Sequence, residues 1–103
     1  MFKMIILVTK KASLSDEEFA KYSLETHAPL AGKMPGLRKY VVNVVQPPPN
    51  KEPEYHEVVE LWFADKDSMK RAFASPEGVA VQQDSERFSS KATTLFIEEH
   101  TFS

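Results

Sequence analysis

The chain has no cysteine, so nucleophilic and proton-transfer chemistry near neutral pH falls to its three histidines and its carboxylates. His27 stands first among them. It lies in "LETHAPLAGKMPGLRKY" (Leu24 to Tyr40), two residues before Pro29, on what otherwise reads as the apolar face of a helix. An imidazole over a pocket can give or take a proton, whereas one held only by packing is a hydrogen-bonded core residue. Asp84 is second. In the helical stretch after Pro76 it shares a face with Ala80, Val81, Arg87 and Phe88, where a carboxylate can orient a histidine, bind a substrate hydroxyl or pair with Arg87 or Lys91. Glu60 is third: it sits mid-strand between apolar neighbours, where a lone charge is costly, so it lines a pocket or bridges a dimer. Ser23 shares the face of His27, and Tyr40, Trp62, Phe73 and Tyr22 are aromatic residues able to wall a pocket or fill a core. The expected site is therefore His27 as the catalytic residue, with Ser23, Tyr40, Glu60, Trp62, Phe73 and Asp84 binding substrate. His56 and His100 lie near strand ends without ligand spacing, so no metal site is expected. Three glycines and no phosphate-cradling loop give no support for a nucleotide, and no cofactor is expected.

These residues need elements to hold them. "FKMIILVT" (Phe2 to Thr9) is a short apolar run rich in β-branched residues and reads as a strand buried on both faces. "LSDEEF" starts a helix: Ser15 and Glu18 form a capping box, Leu14 and Phe19 a hydrophobic staple, and Asp16 to Glu18 place negative charge at the positive end of the helix dipole. At helical spacing Phe19, Ala20, Ser23, Leu24, His27, Leu30, Ala31 and Met34 fall on one face. Pro29 lacks an N–H and its ring opposes the Glu25 carbonyl, which predicts a kink or break just after His27. Pro35 and Gly36 end the element.

Leu37 to Gln46 reads as a second strand, "PPPNKEPE" as a long, mobile, exposed turn, and Tyr55 to Phe63 as a third strand. In that third strand Val58, Glu60 and Trp62 share one face, and Val59, Leu61 and Phe63 the other. Asp65 caps a second helix, Ser75 and Pro76 restart it through Phe88, and Thr94 to Phe102 forms a last strand. The order is βαββαβ, a ferredoxin-like α+β sandwich with a four-stranded antiparallel sheet. Two helices cover only one face of a sheet whose strands are apolar on both, which predicts a homodimer.

With 103 residues the chain is one domain, 1–103, and its 42% hydrophobic and 27% charged content is that of a globular protein. A net charge of −2 without a basic block gives nucleic acid and anionic membrane no foothold. The apolar run Met4 to Val8 is too short for a signal segment or a membrane span, so a cytoplasmic protein is expected.

Four stretches, "F..YSLETHAPLAGKMPGLRKYVVN", "EVVELWF", "SPEG" and "DSERF", together resemble the EthD-like proteins of the dimeric α+β barrel superfamily, over nearly the whole chain from Met4 to Phe102. His-x-Pro followed by Pro-Gly-Leu is the most specific part. The resemblance implies pairing into a dimeric barrel, a pocket between sheet and helices, and His27 as acid or base. Some methylisomerase relatives pair that histidine with a cysteine, which this chain lacks. The function expected is cofactor-independent acid/base chemistry (isomerisation, cyclisation or decarboxylation) on a small carbonyl or phenolic compound in catabolic or secondary metabolism. The alternatives are an oxidoreductase or an accessory of an oxygenase system, and a non-catalytic dimer that binds a hydrophobic metabolite.

Overall fold

The computed structural model describes residues 1–103. Its elements are β1 (Phe2–Lys10), α1 (Asp16–Tyr22), a π-helical turn (Ser23–His27), α2 (Ala28–Ala31), β2 (Lys39–Val44), β3 (Glu57–Phe63), α3 (Lys66–Ala74), α4 (Pro76–Ser85) and β4 (Ser89–Ile97). The strands form one sheet in the order β2-β3-β1-β4, every neighbouring pair antiparallel. This is the ferredoxin-like α+β fold that the order of elements predicts. No helix is long and apolar enough to cross a membrane.

The capping box at Ser15 forms as its residue types require. The Ser15 hydroxyl accepts from the Glu18 N–H at 3.0 Å, and the Glu18 carboxylate accepts from the Ser15 N–H at 2.9 Å. That start aims Phe19 inward, where it is fully buried against Phe88, with ring centroids 5.4 Å apart. A phenyl ring so placed contributes about 1.5–3 kcal/mol through removal from water.

Beyond Tyr22 the chain does not break, a break being one of the two outcomes expected of Pro29. The chain stays right-handed helical through Pro29, but it widens: the Ala28 N–H donates to the carbonyl of Ser23, five residues back. A π turn is one way for a helix to accept an imino acid, because the wider turn moves the ring off the carbonyl it would otherwise strike.

Side-chain alternation divides the sheet. Register pairs Met4, Ile6 and Val8 with Leu61, Val59 and Glu57, and the latter with Tyr40, Val42 and Val44, all on the helix-covered face. Lys3, Ile5, Leu7, Val41, Val58, Glu60 and Trp62 share the other face, which no element of the chain covers. The last strand lies five residues earlier than expected: α4 ends at Ser85, not Phe88, and β4 runs Ser89–Ile97, not Thr94 to Phe102. Its mostly polar first two thirds, "SSKATT", is tolerated because β4 is an edge strand and largely exposed. Between β2 and β3, Gln46 to Glu52 are exposed, as expected of "PPPNKEPE". The base of that turn is tied down, however: the Thr9 hydroxyl donates to the Glu54 carbonyl at 2.9 Å, and the buried His56 ring bonds Glu52 at 2.8 Å.

Candidate functional site

The π turn puts Ser23 and His27 on the sheet-facing side, both buried. From that turn the two side chains reach different partners, Ser23 the Glu57 carboxylate and His27 the Asp84 carboxylate. From α4, Asp84 meets this turn. Its Oδ2 lies 2.8 Å from His27 Nδ1, its Oδ1 accepts from the Tyr22 hydroxyl at 2.7 Å, and Arg87 Nε lies 3.7 Å from Oδ1. Burial alone pushes the Asp84 carboxyl up, but the hydrogen bonds from Tyr22 and His27 outweigh it and hold the group below the ordinary aspartate value. An ionised carboxylate only accepts, so Nδ1 of His27 carries the proton, and in the neutral ring Nε2 presents its lone pair. The face of the imidazole rests on Phe88, with centroids 4.7 Å apart.

His27 lines a cavity of about 290 Å³ between the helices and the sheet. Its walls are mostly apolar, including Met4, Val59, Leu61, Met69, Phe73 and Phe88. Ala92, Thr94 and Phe96 of edge strand β4 also line it and are exposed, so the cavity is open along that edge. Two of the polar groups on the sheet side are Tyr40 and Glu57. Tyr40 comes from β2; burial first, and then the charge of Glu57, push its phenol up to about 12, so it stays a hydrogen-bond donor at neutral pH. Glu57 comes from the first position of β3, is 1% exposed, and accepts a 2.5 Å hydrogen bond on Oε2 from the Ser23 hydroxyl. Burial pushes its carboxyl up, opposed by that bond.

Of the expected site residues, the structure brings together His27, Tyr40 and Phe73 in the cavity wall, with Asp84 behind the imidazole and Ser23 behind Glu57. Glu60 and Trp62 are corrections. Both lie on the opposite face of the sheet, where Glu60 pairs with Lys3 at 2.9 Å and accepts from Asn43 at 3.0 Å. The Trp62 ring there is flanked by the ammonium groups of Lys3 and Lys39, 4.6 and 4.7 Å from it, and its indole N–H donates to Glu99 at 3.1 Å. The alternation that separates Glu60 and Trp62 from Leu61 was visible; which face the helices cover was not. Glu57 was missed, although the same alternation puts it in line with Val59, Leu61 and Phe63, and a carboxylate in that row is the signal that could have found it.

His56 also has acidic neighbours, and ligand atoms of Asp16, Glu52 and His56 lie within 4.8 Å of one another. The geometry does not suit a metal. His56 Nδ1 accepts from the Lys10 N–H at 3.1 Å, so the neutral ring carries its proton on Nε2, the atom that faces Glu52 at 2.8 Å.

The family model described as "EthD domain" matches residues 11–92. The chain belongs to the EthD family. An 11.0 kDa protein of the thcB–thcC intergenic region of Rhodococcus erythropolis is 29% identical over 84 residues, which are 81% of this chain and 82% of that protein. The crystal structure of an ethyl tert-butyl ether degradation (EthD) family protein from Bacillus halodurans superposes with a TM-score of 0.81 at 29% identity, covering 97% of this chain and 100% of the other. Two more distant structures share the fold. One is a dimeric ferredoxin-like protein from Bacteroides fragilis (TM-score 0.71, 20% identity, 95% of each chain). The other is SnoaB, a cofactor-independent oxygenase from Streptomyces nogalater (TM-score 0.68, 15% identity, 98% of this chain and 94% of that one).

Proposed function

We propose that this EthD-family protein is a cofactor-independent acid/base enzyme acting on a small carbonyl or phenolic compound held between sheet and helices, and that it works as a homodimer. The observation that carries the reading is the His27–Asp84 pair: a carboxylate at 2.8 Å fixes the ring so that Nε2 is the nitrogen available to a ligand in the cavity. A ketone seated there has its carbonyl oxygen within the compass of the Tyr40 hydroxyl, a donor that stays protonated. His27 Nε2 removes a proton from the neighbouring carbon and returns it at another position, which gives isomerisation or, with an internal electrophile, cyclisation. The mostly apolar walls strengthen the Tyr40 hydrogen bond as charge develops on oxygen.

The experiment is exchange of the acetyl hydrogens of an acetylnaphthol for solvent deuterium, followed by proton NMR. The protein accelerates this exchange if the reading is right. Ketones that bind in the cavity without any acceleration contradict it and leave a metabolite binder. A second reading draws support from the fold shared with the oxygenase SnoaB: the same base makes a phenolate that reacts with molecular oxygen. Oxygen consumption on adding phenols distinguishes it, since the first reading consumes none. The homodimer is supported by the uncovered sheet face and by the dimeric neighbour from Bacteroides fragilis.

A further inference from the structure

The wall of the cavity holds a carboxyl group and hydroxyl groups, but no lysine or arginine. Basic side chains on the neighbouring elements are engaged elsewhere. Arg87 is 75% exposed and turned to the outer oxygen of Asp84. Lys3 and Lys39 lie across the sheet, against Trp62. His27, the one lining group able to become a cation, already has Asp84 as its counter-ion at 2.8 Å. Glu57 has the opposite character. It is a carboxyl in the wall, 1% exposed, and the Ser23 hydroxyl is the one hydrogen-bond donor given to it, on Oε2.

An anionic ligand entering this space gives up its water and finds no positive charge in return, with two carboxyl groups already near. An uncharged ligand with a hydroxyl finds an acceptor in Glu57 and a donor in Tyr40, and its rings lie against apolar walls. We propose that the cavity selects uncharged ligands bearing a phenolic or enolic hydroxyl and rejects carboxylates and phosphates, and that Glu57 is the residue that sets this selectivity. The proposal rests on the reading of the cavity as a ligand site and narrows its chemistry. Reactions whose substrate carries a free carboxylate, decarboxylation among them, fall outside what the site takes. Isomerisation and cyclisation of neutral hydroxylated ketones remain.

The test is a matched pair of fluorescent probes of equal shape, an acetylnaphthol and the corresponding hydroxynaphthoate, titrated at neutral pH into the full chain and into Glu57→Gln. The wild type should bind the neutral probe at least about tenfold more tightly, and Glu57→Gln should bring the two within about threefold by raising the affinity for the anion, since a carboxylate juxtaposed to the Glu57 carboxyl between apolar walls is unfavourable. Melting temperatures confirm that the variant is folded; the wild-type pair tests selectivity whatever the variant does. Equal or tighter binding of the naphthoate by the wild type overturns the proposal. An unchanged gap in folded Glu57→Gln overturns the role of Glu57. Binding of neither probe overturns both the selectivity and the ligand site itself. Selective binding of the acetylnaphthol without hydrogen exchange leaves the selectivity standing and overturns only the acid/base reading.

Discussion

His27 and Glu57 reach one cavity and have different partners. Asp84 gives the imidazole a carboxylate to lean on, whereas Glu57 receives only a serine hydroxyl. Burial therefore governs Glu57 and raises its carboxyl above the ordinary value, which is about 4.3 in an unfolded chain. A raised acid favours folding in its protonated form: its contribution is complete below that unfolded value and is lost as pH rises through the folded one. Asp84, held low, has the reverse sign; its contribution is present above the ordinary aspartate range and is lost as pH falls. Glu57→Gln removes the first effect and leaves the second. The variant should melt above the wild type at about pH 8 and converge with it near pH 4, as followed by circular dichroism. A variant less stable than the wild type at the higher pH would show that the fold depends on the charge at Glu57. At this scale the sequence placed His27 and Asp84 inward by helical spacing, while leaving open whether Asp84 orients a histidine, binds substrate or pairs with Arg87 or Lys91. It misled on Glu60 and Trp62, since alternation tells which residues share a face but is silent on what lies over that face.

Elements carry information that residue types alone conceal. Pro29 announces a disturbance in the helix, but a proline can break, kink or widen a helix, and residue types alone do not say that the turn widens, with Ser23 and His27 both buried. The shift of β4 has a similar cause: "SSKATT" has too few apolar residues to look like a strand, and it becomes one because β1 offers a paired edge. "SPEG" was readable as a helix restart, with Ser75 as cap accepting from the Gly78 N–H at 3.1 Å. Less visible was why glycine stands there. A Cβ on Gly78 would lie 2.2 Å from the Ala72 carbonyl oxygen and 2.6 Å from the Phe73 Cα, backbone atoms of α3 that cannot swing aside. Gly78→Ala must push α3 from α4, and with them Phe73 from the cavity wall. Overpacking of this kind costs about 1–3 kcal/mol, so the melting temperature should fall by roughly 5–20 °C in a chain of this size. A melting temperature unchanged in the variant would mean that the two helices do not approach this closely.

At the scale of the whole molecule the helices protect one side of the sheet and leave the other open. That open face is divided. Lys3, Glu60, Glu99 and the lysine-flanked Trp62 make a charged end, and Ile5, Leu7, Val41 and Val58 an apolar middle. Glu60, which either lines a pocket or bridges a dimer on sequence grounds, lies on the side where a dimer would form. The proposed homodimer buries the apolar middle, so Leu7→Glu, on an inner strand, should give monomer or unfolded chain, while the wild type sediments as a dimer at micromolar concentration. A wild type that sediments as a folded monomer would contradict the dimer. The ferredoxin-like topology was legible from the order of elements alone, because βαββαβ with short connections leaves few ways to pack. The cavity was not, since its shape depends on how far the helices stand off the sheet.

The central claim is that Nε2 of His27 is the group that moves the proton. The hydrogen exchange of acetylnaphthol, measured for His27→Leu beside its melting temperature, tests it most directly. Asp84 keeps its bond from Tyr22 in that variant, so the fold should hold, while loss of the general base should slow exchange per folded molecule by about 100- to 10,000-fold. A folded His27→Leu that exchanges at the wild-type rate would make His27 a core residue and refute the site.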